Sequence, residues 1–226
     1  MGELLFITGT DTGVGKTIAT AALVCGYTAS GRSVAVYKPT QAGLEDGQGD
    51  SDTVARLAGL ESVFEGIRLA LPMAPVFAAR REGVALPTAA DHAARIAELC
   101  GAFDVVCVEG AGGLLVALDE AGATLVDIAA ATAHPGRFIV VCRAALGSLN
   151  HTALTLEALA RRGAPVAGLV IGAWPAAPDE IDTDNRAHFG ALDVSLLGAI
   201  PAGAGALDPA DFRAQAPTWL APPVSA

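Results

Sequence analysis

GTDTGVGKT, at Gly9–Thr17, carries the strongest chemical signal in the chain. Its glycines allow a turn tight enough to aim backbone N–H groups at phosphate oxygens, at the positive end of the helix expected to follow. The cradle is expected to run through Thr12, Gly13, Val14, Gly15, Lys16, Thr17 and Ile18. Lys16 would reach the β- and γ-phosphates, and the Thr17 hydroxyl would sit on Mg²⁺. Five residues separate Gly9 from Gly15, where the common phosphate-loop pattern has four, so the loop is a variant. Asp11, inside it, is read as organising the turn.

Lysine usage gives an independent argument. The chain has 14 basic residues, and only Lys16 and Lys38 are lysines. Both fall at the carboxyl ends of expected strands. A compact ammonium on a flexible stem suits a charge that follows a transferring phosphoryl group. Mg²⁺ needs further oxygen ligands. Glu109 ends the apolar run DVVCVE and precedes Gly-Ala-Gly-Gly, so a hydrophobic strand would deliver its carboxylate beside the loop. A second carboxylate would come from Asp52 or Asp50 in GDSD at the start of a helix. Asp52 is narrowly favoured, and an ordinary N-cap is the competing explanation.

Positioning these groups requires alternating elements. Strands are expected at Leu4–Thr8, Ser33–Lys38, Asp104–Glu109, Phe138–Cys142, Val166–Ile171 and, more weakly, Ser195–Ala199. Helices are expected at Lys16–Ser30, Asp52–Gly59, Thr88–Cys100, Thr124–Thr132, Leu149–Arg162 and Glu180–Leu192. Runs such as VVCV and FIVVC are continuously apolar, as parallel strands covered on both faces are. The order predicts one α/β domain: a doubly wound, mostly parallel sheet with helices on both faces, of the P-loop NTPase class. Gln41–Gly49 and Leu71–Pro87 read as loops at the ligand edge. The tail beyond about residue 216 reads as loose.

Composition excludes several functions. The net charge is −10, from 24 acidic and 14 basic residues, which would repel a nucleic-acid backbone. Although 52% of residues are hydrophobic, no run reaches membrane-spanning length. The start lacks a basic n-region and a cleavage site, and the four cysteines have no metal or redox spacing. A cytoplasmic enzyme with buried free thiols, binding neither nucleic acid nor membrane, is expected.

Four motifs together resemble the dethiobiotin synthetase family: GTDTGVGKT, KPTQAG at Lys38–Gly43, VEGAGG at Val108–Gly113 and LGSLNHT at Leu146–Thr152. PMAP at Pro72–Pro75 is similar to its substrate loop. The resemblance implies a Mg²⁺-dependent homodimeric ligase acting on 7,8-diaminononanoate, CO₂ (or bicarbonate) and ATP or another nucleoside triphosphate. It implies Lys38, Lys16 and Thr12 as catalytic residues, with Thr12 on a carbamate. Pro72, Met73 and Ala74 would wall the substrate's aliphatic chain, with Gly112 beside it. Gly147, Ser148, Leu149 and Asn150 would bind its carboxylate across the dimer. Asn150 could otherwise cap its helix, and His151 reads as a packing residue.

The chain departs from family patterns at Gly13, where some members have Glu, and at Ala42, where some have Ser. Ile171-Gly172-Ala173-Trp174 stands where members often carry an Ala-Asn whose amide reads adenine. The base would then be read by backbone, around Gly172 and in the loop with Pro201, Ala202 and Gly203, and adenine would be weakly selected. The alternative is a dimeric ATPase switch of the septum-site or partition type. Those proteins carry a lysine early in the loop, and Gly9-Thr10-Asp11 has none.

Overall fold

A computed structural model describes residues 2–44 and 47–223 of the chain. Glu45 and Asp46 of the expected acid-rich loop, and the last three residues of the expected tail, lie outside the described residues. Seven strands form one sheet: β1 (Glu3–Gly9), β2 (Val34–Ala42), β3 (Val63–Leu69), β4 (Val105–Gly113), β5 (Gly136–Cys142), β6 (Val166–Trp174) and β7 (Leu196–Pro201). Their order is β3-β2-β4-β1-β5-β6-β7, and every pairing between these strands is parallel. The expected doubly wound sheet is thus wholly parallel.

The two faces are covered differently. Helices α1 (Lys16–Ala29), α2 (Asp50–Ala58) and α8 (Pro209–Gln215) pack one face, through Leu23, Val54, Leu57 and Phe212. Helices α4 (Ala89–Ala102), α5 (Leu125–Ala131), α6 (Ser148–Arg161) and α7 (Glu180–Gly190) pack the other, through Ile96, Ile128, Leu159 and Phe189. Helix α3 (Pro75–Glu82) closes a smaller cluster with Leu69 and Leu86. Because side chains alternate along a strand, the cores also fix where polar residues point. Val34 and Val36 of β2 and Val105 and Cys107 of β4 face α1, while Ala35, Tyr37, Val106 and Val108 face α4. The next α1-facing positions are Lys38 and Glu109. Tyr37 pairs in register with Val108, so these two charged residues follow as neighbours one step on.

Three elements escaped the sequence reading: β3, α3 and α8. Residues 217–223, expected to be loose, dock on the sheet: Leu220 bridges Gly198 antiparallel, and the Ala221 N–H donates to the Leu197 carbonyl at 2.8 Å.

Tyr37 meets His92 of α4 in the second core, its hydroxyl 2.7 Å from Nδ1. Burial, opposed weakly by Asp91 and Asp119, holds the His92 pKa below its ordinary value of 6.5. The unfolded chain therefore takes up this proton at a higher pH than the native one does. Stability from His92 is complete above about pH 6.5 and is lost as pH falls below it. Chemical denaturation from pH 7.5 to 5 is expected to show this loss, and His92→Gln to flatten it. An unchanged pH slope would refute the assignment.

Candidate functional site

The phosphate loop joins the carboxyl end of central strand β1 to α1, at the edge where the strand order reverses. Gly13 and Gly15 have φ of 67° and 95°, which side chains rarely adopt. A second constraint on the loop comes from β6. A Cβ on Gly172 would lie 1.9 Å from the Val14 carbonyl oxygen, and one on Gly15 would lie 2.7 Å from the Gly172 oxygen. The two backbones pass in contact, with Val14 anchored in the first core.

Around Lys38 the charged groups converge. Its ammonium is 2.5 Å from Asp50 Oδ2 and 2.9 Å from Glu109 Oε1, and it donates to the Gly110 carbonyl at 3.1 Å. Glu109 also accepts from the Thr17 hydroxyl at 3.0 Å and the Thr20 hydroxyl at 2.6 Å. Lys38 and Glu109 are almost wholly buried, at 2% and 1% exposure. Burial disfavours the charged Lys38, but Glu109 and Asp50 outweigh it and raise its pKa, so the ammonium stays charged. Burial likewise opposes ionisation of Asp50, and Lys38 with the Thr17 hydroxyl overcomes it and lowers its pKa. Lys16, retracted onto the Asp11 carbonyl at 3.1 Å, has its pKa lowered by burial first and then by Lys38.

Lys16, Thr17, Lys38 and Asp50 border a cavity of about 880 Å³, whose lining does not include the buried Glu109 and Thr20. Its lining takes in Thr12, Gly13, Gly15, Lys16, Thr17 and Ile18 from the loop and Lys38 to Gly43 on β2, without Pro39. Asp50, Pro72 and Gly112 complete the expected set within it. Thr12 and Gly112 adjoin, since a Cβ on Gly112 would meet the Thr12 hydroxyl at 3.3 Å.

The structure places the two aspartates differently. Helix α2 begins at Asp50 with Gly49 as its N-cap, two residues before the expected start. Asp52 is consequently the third residue of the helix. Its carboxylate turns back to accept from the Gly49 N–H at 2.7 Å and pairs with Arg68 at 3.0 Å. It is a capping residue, and Asp50 faces the site. A capping-box reading of Gly-Asp-Ser-Asp would have found this.

Other expected residues lie outside the cavity. Met73 packs into the small cluster beside α3, and Ala74 is the N-cap of that helix. Of the three only Pro72 walls the cavity, joined by Ala42, Leu44 and Ala111. Gly147, Leu149 and Asn150 are exposed at the start of α6, and Ser148 is buried. Gly147 is the N-cap there and Asn150 stands at the third helical position, where, unlike at the start of α2, no capping box forms. Pro201, Ala202 and Gly203 adjoin α1 and α2 through Gly205, whose carbonyl accepts from Arg56 at 3.3 Å and whose Cα faces Ile18. Trp174 pairs with Pro201 and its carbonyl accepts from the Ala202 N–H at 2.7 Å, while its ring lies under Arg186 of α7, 4.8 Å from the ring centroid.

Two contributors were missed. Thr20 lies one turn beyond Thr17 on the same helix face, a spacing that could have revealed it. Arg143, just past β5, donates to the Thr12 carbonyl at 2.8 Å and faces Asp11 at 3.6 Å, steadying the loop tip. No pattern in the sequence marks it.

Whether Mg²⁺ fits can be judged from the donors. Among the described residues no group of three or more His, Cys, Asp or Glu side chains converges. Thr17, Asp50 and Glu109 offer a hydroxyl and two carboxylates side by side: the Thr17 hydroxyl donates to Glu109, and both carboxylates accept from the Lys38 ammonium. Few protein oxygens, with phosphate and water completing the shell, is the pattern Mg²⁺ takes.

Residues 3–207 match the AAA domain family. The ATP-dependent dethiobiotin synthetase BioD of Streptomyces avermitilis is 51% identical, over 97% of this chain and 92% of the relative. That of Mycobacterium avium is 50% identical over 93% and 92%. Among solved structures, the septum site-determining protein MinD of Pyrococcus horikoshii, complexed with Mg-ADP, aligns with a TM-score of 0.58. It covers 95% of this chain and 90% of that one at 18% identity, a likeness of fold alone.

Proposed function

Since the chain belongs to the ATP-dependent dethiobiotin synthetase family, we propose that its cavity converts 7,8-diaminononanoate and CO₂ into the cyclic urea of dethiobiotin. It is an ATP-dependent ligase of biotin biosynthesis. One amine adds to CO₂ and loses a proton, giving a carbamate. A carbamate oxygen attacks the γ-phosphorus as the bond to the nucleoside diphosphate breaks, leaving a carbamic–phosphoric anhydride. The second amine then attacks the carbonyl carbon, the C–O bond breaks, and phosphate leaves as the ring closes.

The observation that carries this reading is a buried Lys38 beside the phosphate loop, its ammonium set by Glu109 and Asp50. Carbamate and γ-phosphate are both anions, and bringing them together requires fixed positive charge. Lys38 and Lys16, both lining the cavity, supply it, Thr12 orients the carbamate, and Pro72, Ala42 and Leu44 exclude water from the aliphatic chain. Mg²⁺, held by Thr17, Asp50 and Glu109, would neutralise the phosphate oxygens. The carboxylate subsite at Gly147–Asn150 faces outward, which supports a homodimer in which each chain completes its partner's site. Four buried free thiols support a reducing cytoplasm.

Phosphate release from Mg-ATP and bicarbonate, with and without the diamine, tests the function. Diamine-dependent release with a cyclic-urea product is expected, and diamine-independent hydrolysis would return the reading to an ATPase switch.

Two further outcomes follow here. Asp50→Asn is expected to lower kcat/KM about 100-fold and raise the Mg²⁺ requirement. Asp52→Asn should leave that requirement alone and cost about 1 kcal/mol of stability, the usual worth of a helix cap. Equal Mg²⁺ titrations for the two variants would contradict the assignment. With no side-chain amide at the end of β6, ATP, CTP and GTP should have kcat/KM values within about tenfold of one another, since an absent polar reader forfeits the large discrimination. A strong preference for ATP would show that backbone groups suffice.

A further inference from the structure

Helix α2 starts without a side chain on its N-cap, because that residue is Gly49. The acceptor for its first N–H comes instead from a strand. Gln41, 3% exposed near the end of β2, accepts from the Asp50 N–H through Oε1 at 2.8 Å. Its Nε2 donates to the Gly43 carbonyl, also at 2.8 Å. A Cβ on Gly49 would lie 2.7 Å from the Gln41 Cδ and 2.9 Å from its Oε1, so the N-cap backbone rests on the amide. One buried side chain thus ties together both ends of the acid-rich loop that leads into α2.

We infer that Gln41 is a positioning residue that fixes Asp50 in register with Lys38 and thereby sets the cation-binding corner of the site. The same strand carries Lys38 three residues earlier. Strand and helix are therefore referenced to each other by the amide rather than by the loop between them. The first N–H groups of a helix have no partner within it, and here the Asp50 N–H, and with it the position of the Asp50 backbone, is held from outside the helix. Gln41 borders the cavity, but both of its amide hydrogen bonds go to backbone, at Gly43 and at Asp50, so the amide itself is engaged in holding the start of α2. This inference rests on the reading of Asp50 as a Mg²⁺ ligand.

The test is ADP binding by calorimetry, in Mg²⁺ and in EDTA, for the wild-type protein, Gln41→Met, Asp50→Asn and the double variant, with melting temperatures as a check on folding. Gln41→Met preserves length and removes both hydrogen bonds. It is expected to reduce the Mg²⁺-dependent gain in affinity about tenfold, with ADP binding in EDTA unchanged. Added to Asp50→Asn it should do nothing more, because both act on one carboxylate. Equal losses with and without Mg²⁺, or full additivity with Asp50→Asn, would reduce Gln41 to a packing residue and overturn the inference. An Asp50→Asn protein that keeps the full Mg²⁺ gain would overturn the ligand reading itself. Should Gln41→Met not fold, Gln41→Asn, which withdraws the amide by one methylene, carries the same expectations.

Discussion

Lys38→Met is expected to lower diamine-dependent turnover by about a thousandfold while the KM for nucleotide changes little, since a preorganised charge of this kind acts on the transition state. The backbone cradle of the phosphate loop makes no contact with Lys38 and should go on binding nucleotide. Methionine fills much of the lysine stem's volume, so the loss would report charge rather than a cavity. Lys38→Arg should not rescue activity, because a planar guanidinium cannot occupy a slot shaped for an ammonium between Asp50, Glu109 and the Gly110 carbonyl. Removing the ammonium also leaves the buried Glu109 carboxylate with only the Thr17 and Thr20 hydroxyls. Breaking one side of a buried pair costs about 3–5 kcal/mol, and the lower end applies because Asp50, its other partner, is 42% exposed. Phosphate-release kinetics and urea denaturation check the two effects separately. Turnover within tenfold of wild type would remove Lys38 from the chemistry.

Gly172→Ala should be nearly as damaging, though Gly172 lines no part of the cavity. The added methyl would have to occupy a point 1.9 Å from the Val14 carbonyl oxygen and 2.8 Å from a Val141 methyl. Backbone cannot yield as a flexible side chain can, so strand β6 or the phosphate loop must shift. A displaced loop would lose its convergent N–H groups, and nucleotide affinity is expected to fall at least about 100-fold, the scale of several misaligned hydrogen bonds. Gly13→Ala makes a useful contrast. Its Cβ meets nothing within 4 Å, but its φ of 67° disfavours a side chain. That change should cost about 1 kcal/mol of stability and leave binding largely intact. Calorimetric titration of ADP distinguishes them, and equal affinities for the two variants would refute the close-approach argument.

The central strands and the phosphate loop were legible because they were repetitive in the relevant way: continuous apolar runs, glycines, then a helix. Lys38 and Glu109 were legible as ends of such runs. What escaped was short or chemically mixed. Strand β3, VFEGIRL, is an edge strand with Glu, Gly and Arg inside it, so neither a continuous run nor a clean alternation marks it. Helices α3 and α8 have eight and seven residues, too few for a period to emerge, although each begins with the proline that favours a first helical position. The preference for Asp52 over Asp50 has a related origin. Starting α2 two residues late turned the capping residue into a helix opener, and a two-residue shift rotates a side chain through more than half a turn. Met73 and Ala74 show a different limit. Their apolar character was read correctly, but sequence does not say which apolar surface a loop residue will meet.

The docked carboxyl-terminal segment bears on how the sheet edges avoid unwanted strand pairing. A parallel sheet ends in two open rows of peptide groups, each able to template another chain. At β3 the row carries the Glu65–Arg68 ion pair and a glycine, which discourage a visiting strand. At β7 no charge guards the row, and Leu220 with Ala221 lies antiparallel against it instead. The tail is in effect a built-in stopper against strand addition. Shortening the protein before Trp219 would uncork that edge and invite self-association, whatever became of the active site.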